Sequence, residues 1–61
     1  MTPHEQVNKH VENVLASCKT KKALRLASHP TRAYDNCPKH FTSLQKEQVA
    51  AILEYHCQKN G

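Results

Sequence analysis

Glycine is almost missing from this 61-residue chain, and its single copy is the last residue, Gly61. A β-rich domain of this length needs several tight turns, which usually draw on Gly or Asn-Gly pairs. Their absence points to helices joined by short loops containing Pro and Asn. Large apolar residues are also scarce. Val, Ile, Leu and Phe number eleven of the 61, which falls under the roughly 20% mark below which disorder competes with folding. The net charge of +4 is too moderate to complete that signature. A single small domain of thin stability, helped by a partner or by self-association, is the expectation. No apolar run approaches the ~18 residues of a membrane span, and the first residues lack a signal-peptide core. Three cysteines, an odd number, argue against a closed disulfide framework and for a reducing compartment. Together these absences predict a cytoplasmic protein with no membrane contact.

What is present is helical patterning. Thr2-Pro3-His4-Glu5 supplies an N-cap threonine, a proline at the first helical position and a glutamate three residues after the cap. Val7, Val11, Val14, Leu15 and Cys18 then draw one stripe, which predicts a helix over about 3–18. Thr20 can cap a shorter basic helix over about 21–28, with Ala23, Leu24 and Ala27 inward and Pro30 ending it. Residues 29–41 carry two prolines and an Asp-Asn pair and read as an ordered loop pinned by Tyr34 and Phe41. A third helix is expected over about 43–58, with Thr42 or Ser43 as cap and Thr42-Ser43-Leu44-Gln45 at capping-box spacing. The expected fold is thus all-α: two longer helices with a short basic helix and a Pro-containing loop between them. Val7, Val11, Val14, Leu15, Leu24, Phe41, Val49, Ile52 and Leu53 are the expected core.

Leu44, Val49, Ile52, Leu53 and Tyr55 spread over about half the circumference of the third helix. That arc is wider than one short neighbour can cover. It predicts a helix gripped by two others, or by one neighbour and a second copy of the chain in a weak homodimer. Leu44, Ile52, Tyr55 and His56 are the candidate self-association face. For His56 itself, a half-buried ring covering apolar surface competes with an interface residue that titrates near neutral pH.

Thiols and imidazoles are numerous enough to raise a zinc reading, but structural zinc sites bring ligands in two close pairs. Only Cys37-Pro38-Lys39-His40 has that form, and the adjacent His56 and Cys57 diverge on a helix. No metal and no cofactor is therefore expected, with a structural zinc module the least favoured alternative. Cys37 also precedes a helix whose dipole could stabilise a thiolate. It lacks a resolving cysteine, an orienting partner and room for a substrate cleft. No enzymatic role is expected.

The strongest functional asymmetry is charge. Residues 19–40 hold Lys19, Lys21, Lys22, Arg25, Arg32 and Lys39 against Asp35 alone, whereas both flanks are nearly balanced. A positive field on one segment suits an acidic or polyanionic partner. An acidic protein surface, met also by an apolar anchor such as Tyr34 or Tyr55, is the leading expectation. Nucleic acid is the alternative, since Lys and Arg contacts to phosphate give salt-sensitive affinity without sequence reading. Helix, turn, short helix and loop loosely suggest a helix-turn-helix, with Gln45, Lys46, Gln48 and Gln58 on the longest helix. Glu47 and Glu54 on that helix would repel phosphates.

From Met1-Thr2-Pro3-His4 through Val49-Ala50-Ala51-Ile52-Leu53 to Lys59-Asn60-Gly61, the chain resembles the small early proteins of lambdoid bacteriophages encoded between the recombination and excision functions. The resemblance spans all 61 residues without a signature motif, so it assigns no residue a role. It implies the cytoplasm of a bacterial host and a non-enzymatic regulatory part played against host components.

Overall fold

The computed structural model describes residues 2–60 and is all-α. Its helices are α1 (Pro3–Ser17), α2 (Lys21–Ala27), α3 (Pro30–Asp35) and α4 (Ser43–Asn60). Three of the four begin on a threonine cap. The Thr2 hydroxyl accepts from the Glu5 amide at 3.2 Å and the Thr20 hydroxyl from the Ala23 amide at 3.1 Å. At α4 the capping box is complete. The Thr42 hydroxyl accepts from the Gln45 amide at 3.2 Å, and the Gln45 side-chain oxygen accepts from the Thr42 amide at 2.9 Å.

The expected loop over 29–41 is corrected in its first half, which is α3. Pro30 does stop α2, holding His29 extended at ψ 129°. The same ring then occupies the first turn of a new helix, where its missing N–H costs nothing and its fixed φ is already helical. Residues 36–42 remain a connector, pinned as expected by Phe41, whose ring is buried and whose amide donates to the Pro38 carbonyl at 3.0 Å.

Helix α4 is the hub, and α1, α2 and α3 all pack against it. The Val49, Ile52 and Leu53 part of the apolar arc is thus covered within the chain, whereas Leu44 and Tyr55 stay exposed. Val7 and Val11 of α1, Ala33 of α3, Phe41, and Val49 and Leu53 of α4 form the buried cluster. Leu24 of α2 is buried as well. Val14, Leu15 and Ile52, expected within the core, are only partly covered and pack on its margin. Each fully buried Val or Leu contributes about 1.5–3 kcal/mol, so this handful carries most of the favourable term.

Two polar side chains are buried where they stitch helices together. The Ser28 hydroxyl reaches the Leu24 carbonyl at 2.6 Å and the Leu53 carbonyl at 3.1 Å, tying α2 to α4. The Gln45 side-chain amide donates to the Pro3 carbonyl at 3.2 Å, tying the first turns of α1 and α4.

Candidate interaction surface

Helix α2 presents the basic residues. Leu24 and Ser28 turn into the protein and Ala23 and Ala27 are half-buried, so the 3.6-residue period leaves Lys21, Lys22, Arg25 and Leu26 on the outer side. All four are exposed, and Leu26 keeps 50% of its surface in solvent. The result is an apolar side chain at the edge of a basic face, one turn from Lys22. The two lysines lie in the first turn of α2, which holds no acid. Cations there oppose the helix dipole at about 0.3–1 kcal/mol each. Only Arg25, in the last turn, agrees with it.

The other three basic residues are exposed too, on different elements. Lys19 precedes the Thr20 cap, Arg32 lies on α3, and Lys39 stands in the connector before Phe41. Helical geometry therefore groups Lys21, Lys22 and Arg25, while Lys19, Arg32 and Lys39 lie on separate segments. The anchors anticipated from sequence do not belong to this face. Tyr34 is half-buried with the Lys46 ammonium 5.3 Å from its ring centroid, and Tyr55 lies on α4. Leu26 is instead the exposed large apolar side chain of α2. An inward side of Ala23, Leu24 and Ala27 already turned it outward in the sequence, without marking it as exposed apolar surface.

A second feature surrounds Phe41. The His10 and His40 rings meet it edge-on, with centroids 5.5 and 5.0 Å away. Beside them runs an open groove of about 230 Å³, lined also by Gln6, Lys9, Asn13 and Pro38. His10 Nε2 is buried without a hydrogen-bond partner, and burial lowers the pKa of that imidazole. This places a neutral ring against the core. The sequence reading did not single it out, although its i−3 and i+4 neighbours Val7 and Val14 put His10 on the margin of the α1 stripe.

The Cys37 thiol donates to the Ala33 carbonyl at 3.2 Å. Burial pushes its pKa up, against a smaller opposing pull from Lys46. That is the reverse of an activated nucleophile, which needs a lowered pKa. The dipole of the following helix does not rescue it. Among the described residues no three His, Cys, Asp or Glu side chains are grouped to hold a metal ion, so Cys37 and His40 remain a pair without a second half. All three cysteines are free.

On α4, Leu44 and Tyr55 keep 64% and 61% of their surface exposed. Ile52 instead packs on the core margin, and His56 is half-buried, edge-on to Tyr55 at 5.8 Å. Of the four residues expected on a self-association face, two are thus exposed. No helix among the described residues is long and apolar enough to cross a membrane. Comparison of the chain with protein-family models, curated proteins and solved structures gives no match.

Proposed function

We propose that this chain is a small non-enzymatic binding and regulatory module whose α2 face docks on an acidic protein surface. The observation that carries the reading is the half-exposed Leu26 on the same exposed side of α2 as Lys21, Lys22 and Arg25, one turn from Lys22. A phosphate backbone has use for the cations and none for the leucine, whereas an acidic protein surface with a small apolar pocket uses both. The placement of Lys21 and Lys22 supports it further. A helix that holds two cations against its own dipole gives up local stability, and such departures from local preference concentrate at functional sites. Taken with the resemblance to lambdoid phage early proteins, the partner is a host protein of the bacterial cytoplasm.

Nucleic acid is the second reading, favoured by the exposure of all six cations from Lys19 to Lys39. The two readings separate on Leu26 and on salt. In a pull-down, a protein partner is retained after nuclease and lost with Leu26→Ser, and also with Lys21, Lys22 and Arg25 all changed to Glu. Retention of binding by that triple variant, with its helical circular dichroism intact, refutes the assignment of the α2 face. Loss on nuclease treatment, with a steep linear log–log dependence on salt and no effect of Leu26→Ser, transfers the face to DNA or RNA.

A further inference from the structure

The outer face of α4 faces away from the three helices that pack on it. Leu44, Gln48, Ala51 and Tyr55 recur there at spacings of four, three and four residues, and all four are exposed. That is the d-a-d-a alternation of a coiled-coil seam. Its flanks are charged: Glu47 and Glu54 run along one side, and Lys59 lies on the other. At its start, Leu44 and Gln48 line an open groove of about 450 Å³ with Pro3 and His4 of the α1 first turn. The molecule also has surface to spare. It exposes 4547 Å² at 6.9 kDa, against about 4000 Å² for a folded monomer of that mass.

We propose that this face is covered by a second copy of the same chain, with the two α4 helices parallel about a two-fold axis. The charges select both the occupant and the direction. In a parallel pair, Glu54 at a g position meets Lys59 at the e position of the other copy, and symmetry makes two such pairs. In an antiparallel pair the acidic flanks would meet, bringing Glu47 against Glu54 of the other copy. Gln48 agrees with the parallel choice. At an a position it faces its own symmetry mate, where one side-chain amide donates to the other and fixes the register. Leu44 of each copy enters the groove beside Pro3 of the other. A seam of one leucine, one alanine and one tyrosine buries little, so the dimer belongs to the small, weak class.

The test is sedimentation equilibrium from micromolar to millimolar concentration, with circular dichroism confirming that each variant is folded. The native chain self-associates. Glu54→Lys and Lys59→Glu each weaken association about tenfold, since symmetry breaks two charge pairs at once, and the double charge swap restores it. A native chain that stays monomeric at millimolar concentration overturns the proposal. Tighter association of Glu54→Lys overturns it in favour of the antiparallel pair, and single variants equal to the native chain remove α4 from the interface.

Discussion

Replacing Gln45 by glutamate changes one group and isolates its effect. The Gln45 side chain is only 6% exposed and works in two directions. Its oxygen accepts from the Thr42 amide, closing the α4 cap, and glutamate preserves that contact. Its nitrogen donates to the Pro3 carbonyl at 3.2 Å and to the Gln6 side-chain oxygen at 3.4 Å, and a carboxylate cannot. Gln45→Glu thus removes both donations, the shorter worth about 0.5–1.5 kcal/mol, and leaves a buried charge facing a carbonyl, at a further cost of about 1–3 kcal/mol. A loss of about 2–3 kcal/mol is large against the roughly 3–9 kcal/mol available to a chain of this length. At about 4–8 °C per kcal/mol, Tm falls by about 10–20 °C. The penalty vanishes in acid. Once protonated, the introduced carboxyl regains an O–H to donate to Pro3, so its folded pKa rises above the unfolded value of about 4.3. The deficit is complete above the folded pKa and closes as pH falls through it. Urea titration followed by circular dichroism, near neutral pH and near pH 4, reads both effects. A variant within about 0.5 kcal/mol of the native chain at neutral pH, the scatter of ordinary surface changes, refutes Gln45 as the tie between α1 and α4.

Two further outcomes follow from the core. Because burial lowers the His10 pKa beneath 6.5, stability is highest above that value and falls as pH drops toward the folded pKa, the unfolded chain taking up the proton first. Urea midpoints at about pH 7.5 and about pH 5.5 should therefore differ more in the native chain than in His10→Leu, and equal differences would rule out His10 as the source. Leu53 is 1% exposed in the middle of the hub helix, so Leu53→Asp replaces a central contact with an unpaired charge and should abolish helical circular dichroism. An unchanged spectrum and melting curve would contradict the core described above.

The two long helices were legible because each states its start and its face locally. Thr2-Pro3 and Thr42 with Gln45 mark the starts, and Val7, Val11, Val49 and Leu53 mark the faces. Helix α3 was not legible, because six residues are too few for a period and Pro30 carries two meanings at once. It reads first as the end of α2, and only packing of Ala33 on α4 reveals the second use. Ser28 and Gln45 were hidden for a related reason. Their local roles, end of helix and cap, account for them fully until the fold brings in the Leu53 carbonyl 25 residues away or the Pro3 carbonyl 42 residues away. On the surface, the basic segment was plain in the sequence. Its apolar member followed only by elimination, since Ala23, Leu24 and Ala27 inward leave Leu26 outward. The α4 outer face was half legible: Leu44 and Tyr55 were found, whereas Gln48 and Ala51 carry no hydrophobic signal and emerge only once the buried side is known.

The arrangement of three helices on one also sets the order in which the protein comes apart. Helices α2 and α3 touch one another as well as α4, whereas α1 is held chiefly by α4. Detaching α1 therefore breaks its packing on α4, the His10–Phe41 contact and the Gln45 tie, and leaves a three-helix remnant with its own contacts. Detaching α4 breaks every interface but one, which amounts to complete unfolding. Openings of the first kind are cheaper and more frequent than those of the second. Each one uncovers Val7 and Val11 together with the flanks of Val49 and Leu53, so the strip of core between α1 and α4 meets water and foreign chains before any other part of the interior.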